Sequence, residues 1–86
     1  MPVIIEAQPA GDYRIELAFD TGERGVADLR ETIFRYSAAA VLRDPAEFAK
    51  FQLDDWPTIT WSCGFDVAPE RLYELATGKA PAWVER

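Results

Sequence analysis

Thr58-Ile59-Thr60-Trp61-Ser62-Cys63-Gly64-Phe65-Asp66-Val67-Ala68-Pro69-Glu70-Arg71-Leu72-Tyr73-Glu74-Leu75 changes its apolar spacing partway along. Ile59 and Trp61 alternate with polar residues, as on a half-buried strand. Leu72, Leu75 and Ala76 recur at the three- and four-residue spacing of a helix face. The stretch therefore predicts strand, tight turn and helix. Cys63-Gly64-Phe65-Asp66 turns the chain, Asp66 serves the turn before the helix, Pro69 opens the helix where a missing N–H is harmless, and Gly78 ends it.

Working backwards, Gln52-Leu53-Asp54 and Thr58-Ile59-Thr60-Trp61 flank Asp55-Trp56-Pro57, which predicts two short strands joined as a β-hairpin. Asp44-Pro45-Ala46-Glu47 reads as a helix start, with Asp44 as N-cap, Pro45 in the first turn and Glu47 closing a capping box. The helix is expected to run from Pro45 to Phe51, with Phe48 and Phe51 on one face. Ser37 to Leu42 adds one helical turn without good caps.

The first third of the chain reads as an antiparallel meander. Val3 to Ala7 is a short apolar run stopped by Gln8-Pro9-Ala10-Gly11. Tyr13, Ile15, Leu17 and Phe19 then alternate with Arg14, Glu16, Ala18 and Asp20, the mark of a half-buried strand. Asp20-Thr21-Gly22 supplies a hairpin turn. Arg24, Val26 and Asp28 alternate with Gly25, Ala27 and Leu29 in a third strand. A short helix over Leu29 to Arg35 follows, with an Asp28/Glu31 capping box and Leu29, Ile33 and Phe34 inward. The fold class is α+β: an N-terminal three-stranded antiparallel meander, short helices, a β-hairpin and a C-terminal strand-turn-helix. Residues 1–78 form a single domain and 79–86 a C-terminal tail that Trp83 can anchor.

Apolar residues make up 49% of the 86-residue chain, enough for one core and too many for a disordered chain. Nine basic and fifteen acidic residues give a net charge of −6, which opposes direct contact with nucleic acid. The imbalance is concentrated in residues 44–74, with seven acids and two bases. With no signal-like N-terminal segment and no apolar run long enough for a membrane helix, a cytoplasmic protein is expected. The single Cys63 cannot pair within the chain and is expected to be a small, partly buried hydrophobe.

Histidine is absent, which removes the commonest general base near neutral pH and the commonest metal ligand. Asp20-Thr21-Gly22 copies the triplet that carries the catalytic carboxylate of aspartic proteases, but it lies between alternating strands, where Asp and Gly are ordinary turn residues. Asp54, Asp55, Asp66, Glu70 and Glu74 match no metal-binding loop; Glu70 and Glu74 read as solvated neighbours at i and i+4. Arg14, Arg24, Arg30, Arg35 and Arg43 are interleaved with acids and read as their exposed partners. The glycines form no phosphate-cradling run, and no cofactor is expected. Trp56 beside Pro57 has the character of an interface anchor.

Three stretches, Asp12 to Gly22, Leu42 to Phe48 and Ile59 to Tyr73, in this order and spacing, resemble the small bacterial family known as domain of unknown function 2442. The resemblance runs from Val3 to Leu75 and implies a small α+β domain with a leading meander and a closing strand-turn-helix. It carries no catalytic residues across. It also implies a setting: members often form one half of a toxin–antitoxin-like gene pair, and some longer relatives add a DNA-binding helix-turn-helix. The segment from Arg30 to Ala40 departs from it, being less rich in Gly and Pro.

Residues and resemblance together predict a non-enzymatic protein-interaction module, the antitoxin-like partner of a basic co-encoded protein, with Trp56, Asp54, Asp55, Glu70 and Glu74 at the interface. The alternative is a small carboxylate-using enzyme or metal-dependent binder acting as a dimer. Self-association is expected in either case, because an open meander leaves a strand edge.

Overall fold

The computed structural model describes residues 3–53 and 58–78. Three strands lead: β1 (Ile4–Pro9), β2 (Arg14–Phe19) and β3 (Arg24–Asp28), paired antiparallel in the order β1-β2-β3. The alternation of β2 does what its spacing requires. Tyr13, Ile15, Leu17 and Phe19 are all buried in one core with Ala27, the cross-strand partner of Ile15 on β3, and with Leu29, whose N–H donates to the Tyr13 carbonyl at 2.8 Å. Each such side chain removed from water contributes about 1.5–3 kcal/mol before conformational entropy is set against it. The opposite face carries Arg24, which bridges Glu6 at 3.6 Å and Glu16 at 4.0 Å.

β1 extends two residues beyond its expected end, to Pro9, which pairs with Ile15. Proline is tolerated there because β1 is an edge strand among the described residues, so a ladder donor is dispensable. The turn into β2 places Gly11 at φ 87° and Tyr13 at φ 59°, a left-handed conformation that is unusual for an aromatic residue. Its ring is held by a hydrogen bond from its hydroxyl to the carbonyl of Arg43. At the β2–β3 turn Gly22 has φ 90°, and the Asp20 carboxylate accepts the Val3 N–H at 2.9 Å. Asp20 is therefore a turn residue that ties down β1.

Helix α1 (Arg30–Arg35) buries Ile33 fully but leaves Phe34 49% exposed, so Phe34 does not share the core with Leu29 and Ile33. The Asp28/Glu31 capping box does not form. Asp28 accepts the Arg30 N–H at 3.0 Å, while Glu31 points along the helix to Arg35 at 3.7 Å. A 3₁₀ helix covers Ser37–Arg43 and buries Ala39 and Leu42. Helix α2 (Pro45–Phe48) has the expected Asp44 cap, accepting from Ala46 N–H at 3.0 Å, but it ends three residues early. Glu47 leaves the box for Lys50, 3.2 Å away.

A second sheet follows, with β4 (Gln52–Leu53), β5 (Ile59–Thr60) and β6 (Asp66–Val67) in the order β4-β5-β6. Strand β6 replaces what reads in sequence as turn and helix approach. The turn has Gly64 at φ 96° and is closed by Gly64 N–H to Trp61 O at 2.9 Å and Trp61 N–H to Phe65 O at 3.0 Å. Asp66 then pairs with Thr60 and Val67 with Ile59, so Asp66 is a strand residue and gives α3 no cap. Ile59 and Trp61 are both buried, as their shared face requires. Helix α3 (Pro69–Thr77) packs on β3, burying Leu72 and Tyr73, with Leu75 and Ala76 half-buried against the core. Gly78 ends it at φ 75° with its N–H on the Glu74 carbonyl at 2.8 Å. The expected tail 79–86 and its Trp83 lie outside the described residues.

Candidate functional site

The surface features of interest gather where β6 meets α3 and α1. Of the described carboxylates, Asp12, Asp66 and Glu70 alone carry neither an ion pair nor a side-chain hydrogen bond among the described residues; every other acid is held by an arginine, a lysine, a hydroxyl or a backbone N–H. Asp66 and Glu70 line one open cleft of about 290 Å³ with Thr58, Ala68 and Pro69. Thr58 is buried, and its hydroxyl donates to the Val67 carbonyl, which fixes the floor of the cleft.

Glu70 and Glu74 do not behave as a solvated pair. Both are half-buried, and Glu74 accepts from Arg71 at 2.9 Å while Glu70 faces the cleft. The other expected interface residues, Asp54, Asp55 and Trp56, lie outside the described residues. Asp66, read in sequence as a turn residue, joins Glu70 because β6 carries it there.

On the other side of Ala68 and Asp66 opens a larger groove of about 470 Å³, lined by Thr32, Arg35 and Tyr36 from the α1 side and by Phe65 and Arg71 from the β6–α3 side. Tyr36 is 49% exposed and its ring lies 6.3 Å from that of Phe65. From Phe65 the rings continue inward through Trp61 at 5.9 Å, Phe48 at 5.5 Å and Tyr13 at 5.7 Å, and return to the surface at Phe34, 5.4 Å from Tyr13. The two exposed ends, Phe34 and Tyr36, stand two residues apart in the chain. Edge-on and tilted ring pairs of this kind contribute about 0.5–1.5 kcal/mol each beyond their burial.

The arginines divide into two sets. Arg24 and Arg35 are partners of acids, as expected. Arg14, Arg30 and Arg43 have no ion pair among the described residues. Arg30 sits 4.8 Å over the Tyr13 ring, and Arg43 sits 5.4 Å over Phe34 and donates to the Ile33 and Phe34 carbonyls at 3.4 and 3.5 Å. Arg43 thereby links α1 to the end of the 3₁₀ helix, a role that charge interleaving could not have disclosed.

Tyr73 donates to Glu23 Oε1 at 2.7 Å, and that bond to a carboxylate, reinforced by burial and by the negative charge of Glu23, raises the phenol above its ordinary pKa. Cys63 is exposed rather than partly buried, being carried out on the Gly64 turn. Among the described residues no group of three or more His, Cys, Asp or Glu side chains converges to hold a metal ion. Among the same residues, no helix is long and apolar enough to cross a membrane.

A small α+β domain built from a three-stranded meander, a connecting run of short helices, a second small sheet and a closing helix is thus defined. The chain belongs to the protein family of unknown function DUF2442, whose model matches residues 4–78. Comparison with curated proteins returns no match. Among solved structures, the fold is similar to that of a Nitrosomonas europaea protein described as a "putative DNA binding protein", with a TM-score of 0.78 and 21% sequence identity. The similarity covers 91% of this chain and 50% of that one, so this chain spans half the length of its structural neighbour.

Proposed function

We propose that this chain is a non-enzymatic protein-interaction module, the acidic, antitoxin-like half of a two-protein pair, and that its partner is a basic protein docked at the β6–α3 junction. The carrying observation is that Asp66 and Glu70, two carboxylates left without an internal partner among the described residues, share one cleft. Carboxylates with no internal bond to surrender are the ones best placed to meet Lys or Arg from outside. The net charge of −6 supports the same choice of partner, because it accelerates encounter with a basic surface while cleft contacts fix the register.

The name of the Nitrosomonas neighbour raises DNA binding as a rival reading. The charge of this chain argues against it: phosphate contacts gain their strength from Lys and Arg that displace counterions, and here acids outnumber bases fifteen to nine. Co-expression with the neighbouring gene product tests the proposal. A stable complex on size exclusion, weakened by Glu70→Lys and by raised salt, is expected. Failure of the two proteins to co-purify overturns it, as does a DNA mobility shift that persists at physiological salt.

A further inference from the structure

The groove between α1 and the β6–α3 junction collects chemistry that the proposed docking cleft does not use. Arg35 and Arg71 are 36 positions apart in sequence, yet both line it from opposite sides. Each guanidinium is held by a carboxylate of its own helix through a single terminal nitrogen, Arg35 Nη2 to Glu31 at 3.7 Å and Arg71 Nη1 to Glu74 at 2.9 Å. A guanidinium has five N–H donors, so one such contact orients the group and leaves others to bind. Both side chains remain well exposed, at 63% and 49%, so these intrahelical pairs contribute little on their own and can share their arginines with a ligand.

The half-exposed ring of Tyr36 and the ring of Phe65, 6.3 Å apart, line the same groove and supply an apolar surface, and Thr32 adds a hydroxyl. Ala68 at the rim leads into α3, a nine-residue helix whose start has no side-chain cap, so its positive end lies beside the guanidiniums. Asp66, on the same lining, can accept a donor from a ligand and disfavours one that presents only negative charge. The volume of about 470 Å³ falls in the range of small-molecule sites.

Paired arginine forks select a phosphate or carboxylate, and an exposed ring beside them selects a flat partner. We propose that this groove binds a phosphate monoester of a planar heterocycle, a ligand of mononucleotide size, with the phosphate between Arg35 and Arg71 and the ring against Tyr36. The dianionic phosphate is favoured over a carboxylate because two guanidiniums and a helix start can share its three terminal oxygens. Glu31 and Glu74 act as positioning residues for the two arginines. The groove shares Asp66 and Ala68 with the docking cleft, but Glu70 takes no part in it, so Glu70→Lys tests partner docking while Arg35→Gln/Arg71→Gln tests the groove.

The test is titration of the intact protein with adenosine 5′-monophosphate, adenosine and inorganic phosphate, followed by amide NMR shifts. Saturable shifts at Thr32, Tyr36 and Ala68 with the monophosphate are expected, with both fragments at least about tenfold weaker. The double substitution Arg35→Gln/Arg71→Gln, with far-UV circular dichroism as a check on folding, should weaken the monophosphate at least about tenfold, and Tyr36→Ala should bring it down towards inorganic phosphate. No saturable shift up to about 10 mM, or affinity unchanged in the double variant, overturns the site. Inorganic phosphate binding as tightly as the monophosphate overturns the planar-ring part of the proposal.

Discussion

Gly25 of β3 lies so close to α3 that a Cβ built on it would stand 2.0 Å from the carbonyl oxygen of Ala76. The obstacle is backbone, which cannot swing away as a side chain tip would, so any other residue at position 25 must push the helix off the sheet. Gly25→Ala should therefore destabilise the fold by about 1–3 kcal/mol or more through overpacking, read as a lower urea midpoint. A second expectation separates this cause from a loss of glycine flexibility. Gly22 has φ 90°, and a Cβ added there would meet nothing within 4 Å. Gly22→Ala should cost about 1–2 kcal/mol through backbone strain alone, without changing how α3 packs.

Trp61 donates its indole N–H to the carbonyl of Phe48 at 2.8 Å, inside the ring cluster that joins the second sheet to α2. Trp61→Phe keeps an aromatic ring but leaves a buried carbonyl without its donor. A loss of about 1–3 kcal/mol is expected from that group, beyond any cavity left by the smaller ring. Denaturation followed by far-UV circular dichroism, which does not depend on the lost indole, measures it.

The Tyr73–Glu23 hydrogen bond makes a pH prediction with a definite sign. The phenol is raised above 10.0, its ordinary value, chiefly because its proton is held on the Glu23 carboxylate. A group that binds its proton more tightly when folded stabilises the fold fully below its unfolded pKa and loses that contribution as pH rises through the folded one. The Tyr73 contribution should be fully present and independent of pH near neutrality, and should be lost as pH climbs past 10.0. Tyr73→Phe should abolish this alkaline component and remove one high-pH tyrosinate titration from the ultraviolet absorbance; an unchanged alkaline slope would refute it.

How far the fold can be read from the chain depends on how many residues each feature uses. The meander is legible because β2 repeats its pattern from Tyr13 to Phe19, and a slip of one residue would expose the whole apolar set. Strand β6 is not, because two residues carry no period; its existence depends on the Gly64 turn returning the chain to β5. The site is legible only where it is local. Glu70 stands out in the sequence, but its companion Asp66 reaches the same cleft through β6, and the Arg35–Arg71 groove joins elements that are distant along the chain. Asp54, Asp55 and Trp56 are outside the described residues and bear on neither.

Phe34 and Phe48 offer the sharpest contrast between pattern and packing. Phe34 follows Ile33, and adjacent helical residues point about 100° apart, so the six-residue α1 can turn only one of them fully inward; Ile33 is 0% exposed and Phe34 49%. Phe48 is 2% exposed and touches the rings of Tyr13, Phe51 and Trp61. Phe34→Ala should cost only about 1 kcal/mol, the value of its edge contact with Tyr13 and its stacking under Arg43. Phe48→Ala should cost about 3–5 kcal/mol, because it opens a cavity at the centre of the cluster. Paired denaturant curves measure both, and similar losses at the two positions would mean that Phe34 is held in the core after all.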